Sequence, residues 1–270
     1  MKRSAVRVMV IADSIRYGLT FLSPREQNQG SPETMASPPA PPTMTSRLAE
    51  AQTELRRLMQ QPASEWTAEI SKRAVRVYSQ SVPGNQWKRF RVTLTFRGDS
   101  TYAFEELTNY PRRMQWDQNI ASEATLATFA DGVRLVTFST PQALAGIVKP
   151  RRFVDCMCQS APAKDTLLSL CISWDADDAA HEALLADGKV RGHNFPGGGL
   201  VLRRVDDESE PPTWRLVMIG FTDLGGGLPA RIANRASPGA FFELFDGLAK
   251  KIEAKGGCRV PDDESFSVHF

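Results

Sequence analysis

The chain has 270 residues, 41% of them hydrophobic and 24% charged, with a formal net charge of only +2. That length allows one large domain or two small ones, with a composition ordinary for a soluble globular protein. So small a net charge gives no basis for bulk nucleic-acid binding, and no apolar run approaches the ~18 residues of a membrane span.

In chain order, residues 1–45 differ from everything after them. Lys2, Arg3, Arg7 and Arg16 are mixed with Val6, Val8, Val10, Ile11 and Ile15, and Asp13 is the one acid before Glu26. An arginine-bearing, acid-poor start has the character of an organelle-targeting presequence, with a disordered tail as the alternative. Asp13 and Arg16 interrupt the apolar stretch and argue against a secretory signal. Prolines 32, 38, 39, 41 and 42 then make residues 31–46 a linker that favours extended conformations.

From Ser46, Leu48, Ala51, Leu55, Leu58 and Met59 recur at helical spacing and predict an amphipathic helix ending near Gln61-Pro62. Alternation at 74–80 and 90–96 predicts two strands, and Pro83-Gly84-Asn85 between them is hairpin chemistry. Ser100 to Asp117 reads as a helix capped by Ser100 and restarted at Pro111. A long antiparallel series follows. Residues 120–129 and 133–140 join at Asp131-Gly132, and 153–159 and 167–174 join through Ala161–Asp165. Residues 175–187 read as a surface loop or short helix. Segments 189–193, 199–205 and 214–221 complete the strands, with 206–212 as a polar turn.

The last stretch contains a tight Asp223-Leu224-Gly225-Gly226-Gly227 turn. After it, Leu228-Pro229 opens a helical region whose best segment carries Phe241, Leu244, Phe245, Leu248 and Ile252 at i, i+3, i+4, i+7 and i+11, one apolar stripe. Ser237-Pro238 is suited to start that segment, serine as N-cap and proline at the first position. Strand connections this short make an antiparallel sheet, and a sheet of so many strands curls. The terminal helix is expected across its concave face.

These segments, from Ser46 to Ile252, resemble the StAR-related lipid-transfer (START) domain. Arg113-Met114-Gln115-Trp116-Asp117 resembles the family's Trp-Asp segment after the helix pair. Pro150-Arg151-Arg152-Phe153-Val154-Asp155 is similar to its Pro-Arg-Asp-Phe-Val strand opening. Residues 190–199 resemble its Val-Arg-Gly segment leading into a Pro-Gly turn, and Thr222 to Pro229 its Asp-Leu-x-Gly-x-Leu-Pro loop. The resemblance implies an α+β helix-grip fold, a curved antiparallel sheet wrapped around a long C-terminal helix with an internal lipid cavity. It implies residues 46–255 as the lipid-binding domain, with 256–270 as a tail.

By the same resemblance, the chain binds one lipid, a sterol or a phospholipid, in a hydrophobic tunnel and transfers it between membranes. Trp116, Asp155, Met157, Met218, Gly220, Leu224, Phe241, Leu244, Phe245 and Leu248 are then expected to meet the lipid. Gly225, Gly226, Gly227 and Pro238 are expected as hinge points, since glycine absorbs large dihedral changes and proline interrupts the helix ladder; a simple tight turn is the alternative. The sterol-binding branch often carries a buried basic residue where Met157 stands, with an acidic partner before Pro150. Thr137 to Lys149 contains no Asp or Glu, so both are missing together, which suits the rule that a buried charge needs a partner. Asp155 is expected on the same face as Met157 to supply polarity instead, or to be an exposed strand-end residue.

A monomer is expected, cytoplasmic and in transient contact with membrane surfaces, or mitochondrial through residues 1–25; no nucleic acid is expected as partner. Cys156, Cys158, Cys171 and Cys258 form no CxxC pair, and there are only three histidines. Free thiols are therefore expected, and neither metal nor cofactor. Asp155, Ser173 and His193 can be drawn as a triad, but no G-x-S-x-G elbow accompanies them. Pro196–Gly199 lacks the Lys-Ser/Thr of a phosphate loop. Arg151-Arg152 and Arg203-Arg204 suit anionic headgroups or solvated strand ends. The other functions to weigh are a lipid-sensing module that binds without transferring, and a grip-fold cyclase or hydrolase.

Overall fold

The computed structural model describes residues 37–142, 148–174, 188–206 and 210–261. The presequence reading of residues 1–25 and the loop at 175–187 lie outside them, as do 207–209 of the polar turn and 262–270 of the tail. Helix α1 is Pro42–Met59, followed by a 3₁₀ turn, Ala63–Glu65. Strands β1 Thr67–Lys72, β2 Val75–Ser81 and β3 Lys88–Arg97 come next. Two short helices follow, α2 Ser100–Thr108 and α3 Tyr110–Arg113. Then come β4 Ser122–Thr128, β5 Arg134–Ser139, β6 Arg151–Ala163 and β7 Thr166–Ser173. The short β8 Val190–Arg191 and β9 His193–Asn194 precede β10 Gly199–Asp206 and β11 Thr213–Asp223. Helix α4 Ala230–Ala254 and the two-residue strand β12 Cys258–Arg259 end the described chain.

The sheet runs β1-β2-β3-β11-β10-β7-β6-β5-β4, with β12 added on β3, β8 on β6 and β9 on β11. Every pairing is antiparallel except that of β6 with β8. The β2–β3, β4–β5 and β6–β7 hairpins stand where the turn residues place them. Because side chains alternate across a strand, the curved sheet offers two different faces. The outer one takes α1: Leu48, Ala51, Leu55 and Leu58 pack with Leu168, Leu170, Ile172, Val201, Val217 and Ile219. The inner one takes α4, which packs on β2, β3, β1, β12 and α2. The fold is therefore a helix grip with a second helix on its back.

Several local expectations are corrected. Helix α1 begins at Pro42, inside the stretch expected to be linker, and Ala40 and Met44 are buried against its partners. Proline at the first turn needs no amide partner, and the apolar outer face supplies the burial a free linker lacks. Asp99, not Ser100, caps α2, accepting from the Tyr102 amide at 3.0 Å. Segment 189–193 is two short strands on different partners. Cys258 and Arg259 extend the sheet instead of trailing from it.

The largest correction concerns Ser237-Pro238. The helical region opens after Leu228-Pro229 as expected, α4 starting at Ala230 with Pro229 as its cap, but it runs through Pro238 without a new start there. Ser237 is not a cap; its Oγ donates back to the Ala233 carbonyl at 2.8 Å. Tertiary contacts hold the turns before the proline. Ala230 and Ala233 pack against Trp87 and Phe221, and Asn234 Oδ1 accepts from the Lys88 amide at 3.0 Å. Those contacts offset the single ladder bond that proline removes.

Candidate lipid site

The concave face carries two apolar clusters. Under α4, Leu244, Phe245, Leu248, Ala249 and Ile252 meet Val77, Val92, Leu94, Phe96, Leu200, Leu202 and Leu216. Toward β5–β7, Tyr110 and Ile120 meet Val136, Met157, Phe138 and Cys171. Register explains the second group. Val136 pairs with Asp155, Phe138 with Phe153, Asp155 with Ser173 and Met157 with Cys171, so all of these side chains share one face. Phe138 stacks on Phe153 at 4.7 Å and tilts against Tyr110 at 5.2 Å. At the border of the two clusters, Trp116, Phe138, Cys171, Met218 and Phe241 are only half-buried despite their inward placement. Inward side chains that keep accessible surface are the ones a bound molecule could cover.

Of the helix residues expected to meet lipid, only Phe241 keeps that surface. Leu244 is buried, and Phe245 and Leu248 are 0% exposed, so those three serve the protein core. Phe241 sits 5.4 Å from Phe90 and directly over Gly220. A Cβ at Gly220 would lie 2.6 Å from the Phe241 ring, so glycine there lets the ring drop onto the strand. Trp116 packs beside Gly247 of α4, and its indole Nε1–H is enclosed without a hydrogen-bond partner. Leu224 belongs elsewhere, in a separate cluster with Trp87, Phe221, Ala230 and Leu228 under the first turn of α4.

Asp155 is not a strand-end residue: it lies within β6 and is 0% exposed. Its Oδ1 accepts from Ser173 Oγ at 2.8 Å, and its Oδ2 from Asn194 Nδ2 at 2.8 Å and Cys171 Sγ at 3.2 Å. Burial pushes the Asp155 carboxyl up, against three hydrogen bonds that pull it down. Burial beside Asp155 also pushes the Cys171 thiol well up. Asn194 carries the network onward, its Oδ1 accepting from Thr222 Oγ1 at 2.7 Å, while its own amide donates to Ser173 Oγ at 2.8 Å. Ser173 thus donates its hydrogen bond straight to the carboxylate, with no imidazole between them. That is not the order of a Ser-His-Asp relay, in which the histidine must receive the serine proton. Among the described residues, no group of three or more His, Cys, Asp or Glu is placed to hold a metal ion.

The glycine loop before α4 is a tight turn pinned from below. Gly225, Gly226 and Gly227 have φ of 60°, 64° and 70°, a region that glycine enters without steric cost. Asp223 Oδ1 accepts from the Gly225 amide at 2.6 Å. Arg151, 4% exposed, donates Nε to the Leu224 carbonyl at 2.9 Å, Nη2 to Gly225 O at 3.4 Å, and Nη1 to Lys149 O. Arg151 is therefore neither a solvated strand end nor open to headgroups; burial pulls its guanidinium down.

Tyr110, Phe138 and Cys171 were missed in the sequence. Cys171 lies 16 residues from Asp155, and Tyr110 lies 61 from Cys171, so no spacing rule links them. The alternation in β5 and β7 was the available signal.

Three comparisons bear on this arrangement. Residues 46–250 match the model of the START domain. Human StAR-related lipid transfer protein 4 is 28% identical over 144 residues, 53% of this chain and 64% of that protein. Mouse StAR-related lipid transfer protein 5 is 29% identical over 141 residues, 52% of this chain and 62% of its own length. The matches thus span a little under two thirds of these curated relatives. The solved structure of human StAR-related lipid transfer protein 5 superposes with a TM-score of 0.68 at 19% identity, covering 79% of this chain and 99% of that one. The family model covers most of the chain, in the region where the curved sheet and α4 were found, and on that ground the chain belongs to the START domain family.

Proposed function

We propose that the chain holds a single lipid between α4 and the β5–β7 half of the concave face, and carries it between membranes without chemical change. The observation that carries this is the ring of half-buried inward residues, Trp116, Phe138, Cys171, Met218 and Phe241, at the border of two apolar clusters. Membership of a family whose curated relatives are named as lipid transfer proteins supports it. The energetics suit extraction, since each methylene moved out of water gains ~0.8 kcal/mol. The ligand class is a sterol or a phospholipid. Release requires the Gly225–Gly227 loop to let go of Arg151, so that α4 swings from its first turn. Ile232, on that turn and 42% exposed, is the residue we assign to transient membrane contact, with the protein acting as a cytoplasmic monomer. Among the described residues, no helix is long and apolar enough to cross a membrane.

The test is native mass spectrometry of the purified chain for a retained lipid, followed by donor-to-acceptor vesicle transfer. Phe241→Asp should abolish lipid retention while the protein still unfolds cooperatively. Retention at the wild-type level in that variant sinks the site as drawn. Retention without transfer would make the chain a lipid-sensing module, and ligand conversion dependent on a named side chain would make it an enzyme.

A further inference from the structure

The two ends of the proposed lipid site are not alike. Phe241 and Met218 pack against an apolar cluster that includes Phe90, Val92 and Leu216. Toward β6 and β7 the wall contains Tyr110, Cys171 and, just behind the latter, Asp155, Ser173 and Asn194. Asp155 is 0% exposed and engaged by three donors, so it acts through its neighbours. It positions others, accepting from Cys171 Sγ at 3.2 Å and from Asn194 Nδ2 at 2.8 Å.

With the thiol proton committed, the Cys171 sulfur is left as a weak acceptor, and Tyr110 Oη lies 3.8 Å from it. Tyr110 is 7% exposed, and burial pushes its phenol well above the ordinary range, so it remains a neutral O–H donor. A phenol prefers an oxygen near 2.7–2.8 Å, and a thiol at this distance is a poor substitute. Cys171 and Phe138 beside it are half-buried. Further along the segment after α3, the Trp116 indole N–H is enclosed without any partner. This border therefore holds neutral donors with unused capacity, set against a carboxylate.

Cations are poorly placed there. Arg113 lies 6.0 Å from the Tyr110 ring but is tied to buried Asp117 at 2.7 Å. Arg151, on the same face of β6, donates to three loop carbonyls. Arg134 stands across from Met157, with that side chain between it and Cys171.

We propose that Tyr110 and Cys171 form the subsite for the polar end of the bound lipid, and that it takes a small uncharged hydrogen-bonding group, a hydroxyl or carbonyl, and not a phosphate headgroup. Tyr110 is the specificity-determining donor and Asp155 a positioning residue that fixes the Cys171 rotamer. An ester phosphate brought here would meet the Asp155 charge in a dry setting, with Arg113 and Arg151 already engaged and Arg134 on the far side of Met157. This rests on the carrier reading above.

The experiment incubates the full chain with phosphatidylcholine vesicles containing either cholesterol or dioleoylglycerol, two different sources of a lipid hydroxyl. Native mass spectrometry then reads the bound lipid. Wild type should retain one of the hydroxyl lipids in preference to phosphatidylcholine. Tyr110→Phe removes one hydroxyl and no volume, and should lower retention of that lipid about fivefold to tenfold, the range of one hydrogen bond. Its thermal midpoint should stay at the wild-type value, because the lost contact to sulfur is weak. Phosphatidylcholine retained as well as the hydroxyl lipids overturns the subsite and leaves the carrier standing. Unchanged retention in Tyr110→Phe also overturns it. A chain that retains none of the three lipids overturns the carrier reading and this inference together.

Discussion

The two halves of the concave face use the same sheet for different ends. Under α4, Phe245 and Leu248 reach 0% exposure among Leu94, Phe96 and Leu216. Toward β5–β7, the wall is aromatic but incomplete, and it is backed by a hydrogen-bonded carboxylate at Asp155. Close packing makes the first half a source of stability, because each buried side chain there has protein on all sides. The second half leaves accessible surface at Phe138 and Cys171, which stability alone would fill. The proposed carrier role needs both: one region that stays shut and one that yields to a guest.

The largest effect separating the halves is expected from paired truncations. Phe245→Ala should cost about 3–5 kcal/mol in urea unfolding, the usual range for a fully buried phenylalanine. Phe138→Ala should cost clearly less, because its ring is half-buried already, while changing lipid retention more. Equal unfolding costs for the two variants would erase the distinction.

A middle-sized effect concerns the loop that joins the halves. Gly225→Ala and Gly227→Ala both place a side chain in the left-handed region, which costs roughly 1–2 kcal/mol. At Gly225 the new Cβ would also lie 2.3 Å from the Arg191 carbonyl, whereas at Gly227 it meets open space. Gly225→Ala should therefore lose more stability, read as a lower thermal midpoint, with Gly227→Ala near the strain cost alone. The reverse order would mean that Arg191 does not back the loop.

The smallest effect is the pH dependence, where the halves carry opposite signs. Asp246 on α4 is buried, which raises its pKa. Hydrogen bonds and charges from Lys250 and Arg259 outweigh that burial, so its carboxyl is held below the ordinary range. Its stabilisation is present above the unfolded value of about 3.9 and is lost as pH falls through the lowered folded value. The Asp155 carboxyl is raised instead. Its contribution is greatest below about 3.9 and declines as pH climbs toward the raised folded value. Thermal midpoints followed from acid to neutral pH should show Asp246→Asn flattening the acid loss of stability. Asp155→Asn should remove the opposing slope, on top of a constant cost from mismatched donors. Parallel profiles for the two variants would contradict these assignments.

How much of this was legible in the sequence varies with the range of the interaction involved. The stripe from Phe241 to Ile252 was readable, because helical spacing alone puts those residues on one side. The hairpins at Gly84 and Gly132 were readable for a similar local reason. Pro238 was misread because its local chemistry suits a helix start. The contacts of Ala230, Ala233 and Asn234 that hold the earlier turns come from Trp87, Phe221 and Lys88. Asp155 was suspected as a source of polarity, but its partners Cys171, Ser173 and Asn194 lie 16, 18 and 39 residues away.

By itself, then, the sequence determined the elements, the mainly antiparallel pairing and the apolar face of the last helix. Those depend on periodicity and turn chemistry within a few residues. Only the tertiary structure decided which apolar residues are sealed and which stay half-open, and which polar groups share one buried carboxylate. Both are properties of register between strands and of where α4 comes to rest on the sheet, and no stretch of sequence contains either by itself.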